Sequence, residues 1–141
     1  MDAKLRNFGL LLLRFGLGLL FVGHGIPKLL GGPLLWSQLG RAMGGLGITF
    51  WPSLWGLLSG MVECFGGLCF ALGLAFRPVC LLLAFNMLVA SLAMMDRGFT
   101  ALAYPLEDLV VFLSFALIGP GAWVLRLKKE PPRPPQEGAE G

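Results

Sequence analysis

Charge is scarce in this chain. Asp, Glu, Lys and Arg make up 13% of its 141 residues, about half of the ~25% usual in a soluble domain. So few polar groups leave a water-soluble globule with nothing to cover its surface. Histidine occurs once, which excludes bis-His haem ligation. The three cysteines, Cys64, Cys69 and Cys80, lie in apolar runs and form no CxxC pair. They have neither cluster nor c-type haem spacing and read as inert apolar residues. Phosphate-loop and dinucleotide fingerprints are missing, because the Gly-x-Gly pairs sit inside apolar runs and precede no phosphate-binding turn. The chain is therefore expected to hold no metal and no tightly bound redox cofactor of its own. The net charge of +3 is spread over helix ends without an aromatic-interleaved patch, so no nucleic-acid partner is expected. No small-residue cleavage site follows the first apolar run, which is read as a span and not as a signal peptide.

What is present is apolar sequence in long runs. The hydrophobic share is 56% and the mean hydropathy +0.77. Several runs reach the ~20 residues that cross a bilayer as helix. These features predict an all-α integral membrane four-helix bundle over residues 1–127, followed by a Pro-rich tail. The spans are read at about 8–30, 53–74, 78–95 and 105–118, with a Gly-rich connection after the first. Pro105 suits a first-turn position in the fourth. The tail KKEPPRPPQEGAEG, residues 128–141, cannot bury apolar surface and is predicted to be a disordered cytoplasmic extension. With both termini inside, Lys4, Arg6, Arg14, Arg77, Arg126, Lys128, Lys129 and Arg133 fall on or near the cytoplasmic side. Lys28, Arg41 and Arg97 fall outside, and this imbalance favours an N-in, C-in topology. Trp51, Trp55 and Tyr104 then mark the outer interface and Trp123 the inner one.

Each ionisable group within a span needs a reason, since a charge at the bilayer centre costs at least ~2.5–3.5 kcal/mol on insertion scales. Glu63 lies near the middle of the second span. Gly56, Gly60 and Gly67 share its helical face, and Gly56-x-x-x-Gly60 is a small-residue packing motif. Glu63 is thus expected to face a neighbouring helix, with Asn86 of the third span as its neutral partner. It is either a carboxyl hydrogen-bonded across the bundle or one that exchanges protons. His24 and Lys28 lie one turn apart on the first span. His24 is a packing histidine or a second proton-exchanging group; Lys28 is an interfacial anchor or a ligand contact. Pro27 has no N–H for the carbonyl of Gly23, so the helix is expected to kink or end there. Glycines at 9, 16 and 23, and again at 18 and 25, suit close packing on the His24 side. Arg14 is expected to snorkel to the inner headgroups. Glu107 and Asp108 fall in the first turn of a fourth span that opens at Pro105, where the helix dipole favours carboxylates. Asp96 closes the third span on the same side. Taken together, His24, Lys28, Asn86, Asp96, Glu107 and Asp108 predict a polar pocket open to the outer face and floored by Glu63.

The segments Gly25-Ile26-Pro27-Lys28, Val62-Glu63-Cys64-Phe65-Gly66-Gly67, Leu72-Gly73-Leu74-Ala75-Phe76-Arg77-Pro78 and Gly119-Pro120-Gly121-Ala122-Trp123, in this order and spacing, resemble the DoxX family. These are small four-helix proteins of bacterial and archaeal membranes. The resemblance runs from about Leu11 to Leu125 and carries Pro27, Lys28, Glu63, Arg77 and Pro78 over as motif positions. It implies a bacterial inner-membrane protein linked to quinone-dependent oxidation or to redox-protein partners. Two positions depart from the pattern. Met94-Met95-Asp96 stands where many relatives have a histidine, and Val124-Leu125-Arg126 where relatives often read Ser-Leu-Asp.

Three functions fit these features. The first is a membrane subunit of, or accessory to, a quinone-linked oxidoreductase; any catalytic part would be of this kind, with His24 and Glu63 exchanging protons with a quinone oxygen. The second is a scaffold or assembly partner without chemistry of its own. The third is a small-solute or proton pathway. Beyond the lipid bilayer, the expected partner is a redox protein or further copies of the chain.

Overall fold

Lipid offers no hydrogen bonds, so an apolar chain crossing it must satisfy its backbone internally, and helix does this within one segment. The computed structural model describes residues 2–125 and, among them, contains helices and turns but no strand. Four helical segments are long and apolar enough to cross a membrane: Ala3–Leu30, Pro52–Leu72, Phe76–Arg97 and Phe99–Ile118. The tail predicted to be disordered lies outside the described residues.

Helix α1 (Ala3–Leu30) runs through Pro27 without ending. The expected break comes four residues later, at Gly31–Gly32. Gly32 takes the left-handed conformation at φ 75° and α2 (Gly32–Gly40) starts with Pro33 in its first turn. The first leg of the bundle is therefore longer than one span. The return leg is α3 (Pro52–Met61), a π-helical turn (Val62–Gly66) and α4 (Gly67–Leu72). The two legs lie antiparallel along their whole length. Gly18 meets Gly67 and Ala71, Gly25 meets Cys64, Gly60 meets Lys28 and Leu29, Gly56 meets Trp36, and Gly40 meets Pro52. The second hairpin is α5 (Phe76–Met94), a short 3₁₀ turn at Met95–Arg97 and α6 (Phe99–Ile118).

Only one of the two glycine stripes on α1 packs. A Cβ at Gly25 would run into the backbone of Cys64, whereas Gly9, Gly16 and Gly23 have open space before them. Helical phase explains the choice: Gly18 and Gly25 share a face with buried Arg14 and Phe21, and the other stripe points away from the bundle. The two hairpins meet over a buried aromatic cluster. Phe70 stacks on Phe76 with ring centroids 5.2 Å apart, and Phe21 meets Phe112 edge-on at 4.8 Å.

Arg14 does not snorkel. It is 2% exposed, and its guanidinium donates to three backbone carbonyls: Ala71 at 3.0 Å, Pro120 at 2.7 Å and Trp123 at 2.5 Å. These are carbonyls at the end of α4 and beyond α6, where helix termini leave acceptors unpaired and the dipole favours a cation. Arg14 thus fastens α1 to α4 and to the Gly-Pro-Gly-Ala-Trp segment. The end of the bundle carrying Arg14 is termed inner, following the Lys/Arg distribution.

Two stability predictions follow from these contacts. In detergent or lipid nanodiscs, Arg14→Met should cost about 2–4 kcal/mol in equilibrium unfolding, with Arg14→Lys recovering only part because one nitrogen cannot reach three carbonyls. Gly25→Ala should destabilise by more than ~2 kcal/mol, while Gly16→Ala should be neutral or stabilise by up to ~1 kcal/mol through helix propensity. Equal effects at the two glycines would contradict this packing.

Candidate functional site: an ion pair at the middle of the bundle

Glu63 sits near the midpoint of the 21-residue span Pro52–Leu72, inside the π-helical turn. Such a turn inserts one extra residue into an α-helix and re-aims the side chains within it, and these turns recur at functional sites. Here it forms where Cys64 lies against the bare backbone of Gly25. The result is a carboxyl aimed across the bundle, with 3% of its side chain exposed.

Two donors converge on one carboxylate oxygen. Lys28 Nζ donates to Glu63 Oε1 at 2.5 Å and Asn86 Nδ2 to the same oxygen at 3.0 Å. The other oxygen, Oε2, is buried and has no hydrogen-bond partner among the described residues. The Lys28 side chain is 27% exposed, so the ion pair is enclosed on the Glu63 side and only partly open on the other. Lys28 stands in the last turn of α1, yet its ammonium turns inward to Glu63. It lies level with Gly60, because α2 carries the chain further outward. Its carbonyl accepts from the Gly31 N–H at the end of α1 and from the indole Nε1 of Trp36 at 2.7 Å.

The remaining expected site residues divide. Asp108 is half-buried and lies within electrostatic range of His24, Glu107 and Glu63. His24 is exposed, with its Nδ1–H donating to the Leu20 carbonyl at 2.8 Å, so it makes no hydrogen bond to Glu63. Glu107 is exposed. The fourth span opens at Phe99 and not at Pro105, and neither acid is in its first turn. Pro105 lies inside α6, which runs through it unbroken. Asp96 is exposed in the 3₁₀ turn, ten residues or about 15 Å of helix rise beyond Asn86, and does not join the site. Two surface cavities lie away from the opening expected above Glu63. One, of about 190 Å³, is bounded by Gly40, Arg41 and Thr49, and the other by Asp2, Phe8 and Trp123. Among the described residues, no three His, Cys, Asp or Glu gather as metal ligands.

The fold and site define a multi-pass helical membrane protein with an ion pair buried between its spans. A family model for DoxX matches residues 9–100, well over half of the chain, and the protein belongs to the DoxX family. Searches of curated proteins and of solved structures give no match. The matched region holds Lys28, Glu63 and Asn86 and stops just inside α6, so Glu107 and Asp108 lie beyond it.

The ion pair makes its own prediction. Lys28→Met should destabilise the bundle by about 2–4 kcal/mol by stranding the Glu63 carboxylate. The double variant Lys28→Met/Glu63→Gln should recover at least half of that loss in chemical unfolding of the nanodisc-embedded protein. Strict additivity of the two single effects would show that the groups do not interact.

Proposed function

We propose that this chain is an integral membrane subunit of, or accessory to, a quinone-linked oxidoreductase, and that the Glu63–Lys28–Asn86 group contacts the quinone head. The observation that carries this reading is the second oxygen of Glu63, buried at mid-span without a partner. A carboxylate already paired with an ammonium is an acceptor at its remaining oxygen. It therefore suits a ligand hydroxyl, which a quinone presents in its reduced form. Lys28 and Asn86 are donors and suit the carbonyl of the oxidised form. The quinone supplies the two-electron chemistry. The protein's part is to hold the head group and give or take a proton at Glu63, with electrons passing to or from a redox partner protein. The apolar tail of such a ligand needs only lipid-facing surface, which the spans offer throughout. The family's association with quinone-linked systems supports the same reading, and the excess of Lys and Arg near the inner end supports an N-in, C-in placement in a bacterial inner membrane.

The scaffold reading draws on the same contacts, since Glu63 ties α1, the π turn and α5 into one unit. Quinone binding separates the two readings. Nanodiscs loaded with long-chain quinone should retain it on the purified wild-type protein, and Glu63→Gln should lower the bound fraction about tenfold, the loss of one charge-assisted hydrogen bond. Equal retention by wild type and Glu63→Gln, or none by either, would leave the scaffold role.

A further inference from the structure

Each of the four spans places a polar side chain in one layer of the bundle. Glu63 and Asn86 are hydrogen-bonded across it. Asn86 and Asp108 lie equally far along the chain on either side of Arg97, in the turn between α5 and α6, so Asp108 stands level with Asn86. On the other side of the bundle Gly25 meets Cys64, which puts their neighbours His24 and Glu63 at one depth. The Phe21–Phe112 contact, edge-on at 4.8 Å, gives the same layer. Its helices run antiparallel, since Arg14 near the start of α1 bonds carbonyls just beyond the end of α6. His24 and Asp108 then lie outward of that contact by about 4.5 and 6 Å of helix rise. Helical phase keeps Asp108 within about 40° of Phe112, on the side of α6 that faces α1. Asp108 is half-buried and His24 exposed, and Asp108 is within electrostatic range of both His24 and Glu63. The layer thus runs from buried Glu63, past half-buried Asp108, to His24 at the lipid-facing surface.

The seams around Glu63 are not equally closed. α1 and the return leg meet backbone against backbone at Gly25 and Cys64, and Gly66 of the π turn meets Leu83 of α5. Lys28 and Asn86 bridge these two seams to Glu63 directly. α5 and α6 pack closely as a hairpin, whereas α1 and α6 stand farther apart and are joined through side chains, Phe21 against Phe112. These two spans are also the least covered. Only 11% of the spanning window of α6 and 22% of that of α1 is buried, against 39% and 33% for the other two. A long-tailed quinone is dissolved in hydrocarbon, so it comes to a mid-span carboxyl from the side and not from water. We infer that the α1–α6 seam is the lateral entrance through which the quinone head passes from lipid to Glu63, with His24 and Asp108 as its mouth. The inference rests on the quinone reading above. Three seams are shut by contacts that also hold the bundle together; the fourth is spanned by side chains, which can rotate aside. The mouth offers hydrogen-bonding groups at the depth where the head leaves hydrocarbon, a place where polar side chains are costly unless used. The His24 Nδ1–H is committed to the Leu20 carbonyl, so Nε2 is the free acceptor that first meets a quinol hydroxyl. The Asp108 carboxyl comes next, and the unpartnered Oε2 of Glu63 ends the route. The Phe21 and Phe112 rings close the seam on the inner side of the mouth.

The test follows a photoreactive quinone, with an azide on the ring and a short isoprenoid tail, into the protein in vesicles preloaded with unlabelled quinone. Adducts mapped by mass spectrometry should fall on α1 around His24 and on α6 around Asp108, and excess unlabelled quinone should remove them. His24→Trp fills the mouth from an exposed position and should slow labelling at least about tenfold. The fraction of quinone finally bound should match wild type, because a residue lining only the route changes entry and exit alike. Val110→Trp, on the exposed face of α6, should label at the wild-type rate. Adducts confined to the return leg or α5, or His24→Trp labelling as fast as wild type, would overturn the entrance while leaving quinone binding at Glu63 in place. A wild type that retains no quinone would remove the binding reading itself, and the entrance with it.

Discussion

A carboxylate at the middle of a membrane span has to find its counter-charge inside the protein, because hydrocarbon supplies neither water nor ions. Glu63 meets that demand through Lys28, and the geometry of the bundle follows from the pairing. Lys28 must lie deep enough to reach the midpoint of the neighbouring span. The leg does not end at Leu30 but continues as α2 alongside α3, so Lys28 lies within the bundle and not at its end. Without Lys28, Glu63 would face only Asn86, a neutral donor.

The approach of α1 to the return leg is set by backbone, not by side chains. Gly25 against Cys64 and Gly18 against Gly67 leave no room for a Cβ on α1. At that separation a regular helix has one phase and Glu63 has one direction. The π turn adds the freedom to aim the carboxyl separately from the glycines that pack beside it. Close packing and side-chain aim are thus solved by different residues within one turn of helix. At the inner end Arg14 solves a matching problem with neutral partners. Its three carbonyls come from segments that the helical ladder cannot satisfy, so one cation completes helix ends.

Much of this was legible in the sequence. Span number, the bundle class and the Glu63–Asn86 contact came from run lengths and from the phase of Gly56, Gly60 and Gly67. Lys28 reads from the sequence as a wall above Glu63 and not as its direct partner, and GPLLWSQLG reads as a connection because it is too short to span and rich in turn residues. Arg14 was misjudged although a usable signal was present. It shares a face with Gly18, Phe21 and Gly25, and an arginine on the packed face of a helix has no path to the headgroups. The start of α6 was misplaced because Pro105 is a first-turn residue by preference. Here the apolar stretch before it, FTALAY, extends the helix upstream. That shift moved Glu107 and Asp108 from a capping position into the body of a span, and no periodicity rule reports it. The π turn leaves no mark in the sequence, since its residues are those of any apolar helix with a glycine pair.

The ionisable groups of the spans fall into two classes that differ in what completes them. Arg14, Lys28 and Glu63 are joined within one chain, by contacts that also hold its helices together. His24 and Glu107 are exposed and form no ion pair among the described residues. Asp108 is half-buried between the two sets, near enough to feel Glu63 on one side and His24 on the other. Under the proposed quinone contact, a change of charge at Glu63 alters the field at Asp108. The coupling runs through charge and needs no movement of a helix, which suits a bundle whose closest contacts are backbone against backbone and cannot slide.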